Sequence, residues 1–214
     1  MKRKKQKPGN KQSLAKFKKG SETYRLVAYE VTYEAMKILG LPELVEERLP
    51  VLREMVKSNP KQAIQELLVL KQNYPDAPVL YNYLCMAYEY LGNYEAARET
   101  IIENYQKTPD YLFAKINYAQ MCLMEGNSDK IPEIFDGNFD LSLLYPHRTR
   151  FHVSEFTGFT GVMCAYFASI GKQDTAQMLY KSLLKVAPDE RITRFAAGFL
   201  YPTFTDKLKQ LLWR

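Results

Sequence analysis

The sequence predicts an all-α protein built from stacked antiparallel helix pairs. Large apolar residues lie at helical spacing over residues 79–91 and again over 94–106, with a Gly-Asn turn signal between them. Gly92 recurs 34 residues later as Gly126, and the 17-residue gap between Gly92 and Pro109 returns near the C-terminus. A fixed period of this length is typical of an array of helical hairpins.

The period divides most of the chain into repeat units. Pro75, Pro109 and Pro188 close three of them, and Gly171 precedes Pro188 by the same 17 residues that separate Gly92 from Pro109. We expect units at about residues 44–77, 78–111, 112–156 with an insertion, and 157–190, followed by capping helices over 190–214.

The second unit carries the residues of a known repeat. Its order is Tyr81, Leu84-Cys85, Tyr88, Ala97, Ile101 and Pro109. This order resembles the tetratricopeptide repeat, in which an aromatic residue, a large-small pair and a second aromatic precede a small residue and a closing proline. The fourth unit repeats it with Thr160, Met163-Cys164, Phe167, Ala176, Tyr180 and Pro188. We expect the small residues Ala97 and Ala176 to lie where the two helices of one hairpin meet. The resemblance implies a right-handed superhelix of stacked pairs.

The segments before the second unit are also predicted to be helical. Ser21 should cap a helix over residues 22–39, with Val31 on its apolar face. Pro50 should kink or split the next helix because proline removes a backbone donor. Asn59-Pro60 then begins the second helix of the first unit.

An insertion over residues 136–154 is expected to interrupt the regular stacking between units three and four. It opens with an Asp-Gly-Asn turn, which should shorten the second helix of unit three while the flanking hairpins stay in contact. Both histidines, His147 and His152, lie here without further ligands, so no metal site is predicted. Arg148 and Arg150 favour instead a cationic spot for an acidic partner.

The positive charge is concentrated in an N-terminal tail. Residues 1–19 hold nine Lys or Arg and no acidic residue, whereas the other 195 residues hold 21 basic and 24 acidic side chains, a net charge of −3. We expect a disordered basic tail over 1–20 and a single helical domain over 21–214. The tail either binds nucleic acid or is a solvated segment. The cations that begin it are Lys2, Arg3, Lys4, Lys5 and Lys7.

Several classes of protein are disfavoured. The chain has no apolar run of 18 or more residues and no apolar segment after its charged N-terminus, so we predict no membrane span and a cytoplasmic protein. Three cysteines without C-x-x-C spacing predict buried free thiols rather than a disulfide or metal site. Without a phosphate loop or a nucleophile motif, the sequence predicts no enzyme and no cofactor.

The resemblance implies that the first helix of each pair lines a concave groove. A subclass of the family grips a peptide carboxylate, but only Asn117 fits that pattern here and its basic partners are missing, so this clamp is not expected. The predicted lining consists of Asn82, Met86, Glu89, Tyr90, Phe113, Ile116, Asn117, Gln120, Met124, Gly158, Gly161, Ala165 and Ala168. The last four residues share one helix face as a stripe of small residues, and its two glycines predict the close approach of another segment.

These predictions describe a non-enzymatic adaptor that binds an apolar peptide or helix of a partner protein in the groove. The alternative function is a nucleic-acid- or ribosome-associated protein that contacts RNA or DNA through the basic tail. A further alternative is that the helix over 22–39 or the insertion at 136–156 fills the groove.

Overall fold

The computed structural model describes residues 29–34 and 41–203, and the basic tail and the segment 204–214 lie outside them. Within this part, ten α-helices and two short strands are present, which confirms the predicted all-α class. The elements are β1 (Glu30–Thr32), α1 (Glu43–Ser58), α2 (Pro60–Asn73), α3 (Pro78–Leu91), α4 (Tyr94–Lys107), α5 (Leu112–Met124), a 3-10 turn (Ser128–Lys130), α6 (Ile131–Ile134), α7 (Leu141–Leu144), β2 (Arg150–His152), α8 (Val153–Ser169), α9 (Gln173–Val186) and α10 (Arg191–Leu200).

Three glycine turns within the array have the same backbone geometry. Gly92, Gly126 and Gly171 have φ angles of 78°, 79° and 78°, in the left-handed region that costs glycine little. In each turn the glycine N–H donates to the carbonyl three residues back, and the next N–H donates to the carbonyl five residues back. This paired bonding closes a helix C-terminus and redirects the chain.

The connections between hairpins are also alike. Pro75, Pro109 and Pro188 are each followed by an aspartate. The N–H two residues after each proline donates to the carbonyl of the residue before it, at 3.2, 3.0 and 3.3 Å. A proline in the second position of such a turn sets the required φ angle. The glycine turns and the proline turns are therefore both determined by residues within the turns themselves.

Small residues lie where helices approach closely. Ala97 and Ala176, predicted at the contact within each hairpin, are 3% and 0% exposed. Cys164 of α8 donates through Sγ to the Ala176 carbonyl of α9 at 3.3 Å, so the two helices nearly touch there. The thiols of Cys85, Cys122 and Cys164 are free and buried, as the sequence predicts. Pro50 lies inside α1, which continues through it.

The predicted insertion is packed into the main hydrophobic core. The second helix of unit three is reduced to α6, and α5 packs directly on α8 across the gap. Leu141 and Phe151 of the insertion are fully buried. The buried Lys115 of α5 donates through Nζ to the Ile134 carbonyl at 2.6 Å and bonds to Asp136 Oδ2 at 3.3 Å. These contacts hold the start of the insertion against α5.

The helix predicted over 22–39 is wrong where the structure describes it. Residues 30–32 form β1, which pairs in parallel with β2, so that Val31 lies opposite Phe151. Tyr29 packs edge-to-face on Phe151, with ring centroids 5.1 Å apart. The partner strand lies more than a hundred residues away in sequence, so a local helical pattern could not reveal the pairing.

Within residues 29–34 and 41–203, none of the helices is both long enough and apolar enough to span a bilayer. The division into tetratricopeptide-like units stays a prediction, and residues 204–214 of the predicted capping helices lie outside the described residues.

Candidate protein-interaction surface

The small-residue stripe of α8 does not line an open groove. Gly158, Gly161, Ala165 and Ala168 are all buried. A Cβ atom built at Gly158 would lie 3.0 Å from Ile116 Cδ1 of α5. One built at Gly161 would lie 2.2 Å from Cγ1 of Ile192 in α10. The structure therefore corrects the prediction for these positions, because the chain's own neighbouring helices occupy the stripe.

The element that covers the small-residue stripe at Gly161 is α10. The sequence suggested the segment 22–39 or the insertion as internal occupants, whereas the contact that the structure describes at Gly161 comes from Ile192 of α10. Ile192 enters the notch at Gly161, and the Ile192 carbonyl oxygen lies 3.3 Å from the Cβ position. The glycine thus permits a close approach of side chain and backbone, which offsets its unfavourable helix propensity.

The predicted amides of Asn82 and Asn117 belong to one hydrogen-bond network. Asn82 Oδ1 accepts from Asn117 Nδ2 at 3.1 Å and from Asn104 Nδ2 at 3.1 Å. Asn82 Nδ2 donates to the Tyr111 hydroxyl at 3.3 Å. Because Asn104 is only 2% exposed, this network satisfies buried polar groups that link α3, α4 and α5. Its amides are not free to bind a partner without breaking these bonds.

The other predicted lining residues of α3 and α5 differ in exposure. Ile116 is 2% exposed and belongs to the core. Met86 and Phe113 are half-buried and pack against hydrophobic clusters. Gln120 is half-buried, whereas Met124 at the end of α5 is 75% exposed. Of this group, Met124 presents the largest accessible fraction to a partner.

An open pocket of about 230 Å³ remains, lined by Glu89, Tyr90, Tyr94 and Arg191. Tyr90 belongs to the last turn of α3 and Tyr94 begins α4, and both residues line the pocket. Tyr90 is 47% exposed and Tyr94 is 72% exposed. These are large aromatic side chains left in contact with solvent.

Arg191, the first residue of α10, joins this pocket from 102 residues away in sequence. Its Nη1 donates to Glu89 Oε2 at 2.8 Å, while 65% of its side chain is exposed. Burial alone would lower the pKa of Arg191, but the hydrogen bond and charge of Glu89 outweigh it and raise the pKa. The guanidinium therefore stays charged beside the tyrosines.

Of the four residues that line this pocket, Glu89 and Tyr90 are among the predicted lining residues. The sequence did not indicate the other two, Tyr94 and Arg191. Tyr94 follows a turn, and the sequence pattern marks it only as the start of a helix. Arg191 lies beyond the predicted fourth unit, and no local sequence pattern relates it to α3. Only the packing of α10 against α8 brings Arg191 to this position.

The cationic spot predicted in the insertion is neutralised. Arg148 donates to both carboxylate oxygens of Glu155, at 3.0 and 2.8 Å. Arg150 pairs with Glu30 at 3.4 Å and with Glu34 at 3.1 Å. Neither arginine therefore presents an unopposed charge to an acidic partner.

The side chain of His152 caps a helix. Its Nδ1 accepts the N–H of Ser154 at 3.2 Å and caps the start of α8. In the part of the chain that the structure describes, no three His, Cys, Asp or Glu side chains are grouped to hold a metal ion. The predicted tail residues, from Lys2 to Lys7, lie outside that part.

Comparisons with protein-family models, with curated proteins and with solved structures gave no match.

Proposed function

We propose that this chain is a non-enzymatic adaptor that binds a peptide segment of a partner protein at the pocket of Glu89, Tyr90, Tyr94 and Arg191. The observation that carries the proposal is the exposed tyrosine pair beside a charged arginine. Tyrosine and arginine are enriched among the residues that dominate protein–protein binding energies. Tyrosine rings also offer a large contact area with few rotatable bonds to immobilise.

The repeated turns support a scaffold of tetratricopeptide-like hairpins. The three glycine turns share one hydrogen-bond pattern and the three proline turns share another. Stacked hairpins of this kind use their side chains mainly for packing and present an extended surface for partners. A cytoplasmic location and the tetratricopeptide assignment belong to this proposal.

The proposed site differs from the groove expected from the sequence. Its floor is not the glycine stripe of α8, which packs on α10. It is instead the region where the ends of α3 and α10 meet, with the start of α4 at its side. A partner would therefore bind without displacing core residues.

A comparison of matched tyrosine variants tests the adaptor function. The double variant Tyr90→Ala/Tyr94→Ala should lose specific partners in a quantitative affinity capture from cells. Tyr33→Ala is the control, because Tyr33 is 73% exposed and so removes a ring as accessible as that of Tyr94. Circular dichroism should show equal helix content in all three proteins. Equal capture by the double variant and the parent would refute the proposal.

The basic tail supports the alternative function, in which the protein contacts nucleic acid. Nine cations within residues 1–19 could neutralise several phosphates. Binding to RNA or DNA would then weaken steeply with salt and vanish when residues 1–19 are removed. Capture through the tyrosine pocket should change much less over the same range of salt, because its aromatic contacts do not release counterions.

A further inference from the structure

We infer that the partner segment presents an aspartate or glutamate carboxylate to Arg191 and an adjacent aromatic or aliphatic side chain to Tyr90 and Tyr94. This inference rests on the proposed function, since it names the chemistry of the peptide that the same pocket takes.

The hydrogen bonding of Arg191 is the first support. Arg48 and Arg148 each engage both oxygens of a carboxylate through two nitrogens. Arg191 instead makes a single hydrogen bond, from Nη1 to Glu89, among the residues that the structure describes. A guanidinium carries several N–H donors in a planar fork that matches a carboxylate. Donors of Arg191 therefore remain for a second acceptor.

Arg191 also differs from Arg48 and Arg148 in the exposure of its side chain. The side chain of Arg191 is 65% exposed, compared with 42% for Arg48 and 38% for Arg148. Arg194 is also exposed on α10, but it donates to the Asp189 backbone carbonyl at 2.6 Å. Arg98 and Arg150, the other ion-paired arginines among the described residues, are 45% and 51% exposed. The most accessible of these five guanidinium groups thus borders the pocket that holds two exposed tyrosines.

The size and charge of the pocket define the ligand. A volume of about 230 Å³ admits one or two side chains. Glu89 and Arg191 contribute opposite formal charges, so the lining is neutral overall. A carboxylate can accept hydrogen bonds from the donors of Arg191 that Glu89 does not use. The ring faces of Tyr90 and Tyr94 suit the apolar neighbour.

Glu89 has a specific role under this inference, because it competes with the ligand for Arg191. The variant Glu89→Gln should therefore bind an acidic peptide more tightly than the parent does. A site for a cationic ligand would respond in the opposite way, since Glu89 would then be the residue that attracts the ligand.

Three synthetic pentapeptides provide the test: acetyl-Gly-Phe-Glu-Leu-Gly-amide and the same peptide with Gln or Lys in place of Glu. Each is titrated into the full ¹⁵N-labelled chain, and the backbone signals of Tyr90, Tyr94 and Arg191 are followed. The Glu peptide should bind about three- to tenfold more tightly than the Gln peptide, as expected for a partly exposed charged hydrogen bond. The Lys peptide should bind most weakly.

Variants assign the effect to Arg191. Arg191→Gln should abolish the preference for Glu over Gln, whereas Arg194→Gln, which removes a neighbouring charge of α10, should leave it unchanged. Glu89→Gln should increase the affinity for the Glu peptide severalfold.

Three results would overturn the inference: equal binding of the Glu and Gln peptides, tightest binding of the Lys peptide, or no shift at the pocket with any of them. The capture experiment with Tyr90→Ala/Tyr94→Ala is independent of these peptides. A loss of partners there together with equal peptide affinities would retain the adaptor function and reject the carboxylate chemistry.

Discussion

Adding one methyl group at Gly161 should destabilise the protein, although the same change usually stabilises a helix. Gly161 lies within α8, and a Cβ atom there would stand 2.2 Å from Ile192 Cγ1 and 2.8 Å from Ile192 Cδ1. Relaxed carbon contacts are about 3.5–4.0 Å, so both distances are too short. The Ile192 carbonyl at 3.3 Å limits how far the backbone of α10 can shift to relieve them.

Two opposing contributions determine how much Gly161→Ala changes the free energy of unfolding. Alanine is favoured over glycine by about 1 kcal/mol in a helix interior. Overpacking a core typically costs about 1–3 kcal/mol, and the proximity of a branch atom and a carbonyl places Gly161→Ala toward the upper end. We expect a net loss of about 1–2 kcal/mol in the free energy of unfolding. For a chain of this size that lowers the melting temperature by about 2–8 °C.

Urea unfolding followed by circular dichroism measures this loss, and two other glycines provide controls. At Gly158 the nearest atom is the terminal Cδ1 of Ile116, at 3.0 Å, which can move more easily, so Gly158→Ala should be nearly neutral. Gly198 of α10 has nothing within 4 Å of its Cβ position, so Gly198→Ala should stabilise the protein by about 0.5–1 kcal/mol.

A double-mutant cycle assigns the loss to the contact with Ile192. Ile192→Ala removes both crowded carbons, so Gly161→Ala should cost much less in that background. Two outcomes would refute the reasoning: a Gly161→Ala protein at least as stable as the parent, or an unchanged cost after Ile192 is truncated.

The remaining predictions concern the core and its buried groups. Ala97→Leu and Ala176→Leu should each lower the free energy of unfolding by about 1–3 kcal/mol through overpacking, and a parent-like urea midpoint for both would contradict the assigned hairpin contacts. Arg148→Met should cost about 3 kcal/mol because it leaves the charge of the buried Glu155 without its cationic partner; the smaller loss should come from Glu155→Gln, since 38% of the Arg148 side chain is exposed and can be hydrated, and the reverse order would contradict this. Burial, with a further contribution from Glu89, raises the pKa of Cys85 to about 12 from its usual 9.0, so the native thiol should react with a disulfide reagent at pH 8 far more slowly than the thiol of the unfolded chain. Because the unfolded thiol loses its proton first, unfolding titrations should also show stability falling as the pH rises from about 9 to about 12, and Cys85→Ala should reduce that slope.

The sequence determined the helix pairs and the turns between them. These features depend on neighbouring residues, because a glycine at positive φ closes a helix and a proline fixes a turn whatever lies elsewhere in the fold. The predicted limits of the second unit, 79–91 and 94–106, accordingly differ by one residue from those of α3 and α4. The burial of Ala97 and Ala176 also followed from sequence, because small residues at helical spacing indicate close packing.

Only the tertiary structure decided how the repeats use their surfaces. The residues around Val31 carry a helical pattern, yet pairing with β2 and packing of Tyr29 on Phe151 outweigh that weak local preference. The glycines of α8 indicated that something approaches closely but not which segment does so, since Ile192 and Ile116 come from distant parts of the chain. The same packing of α10 against α8 brings Arg191 to Glu89, and so the candidate site depends on long-range contacts that no local pattern encodes.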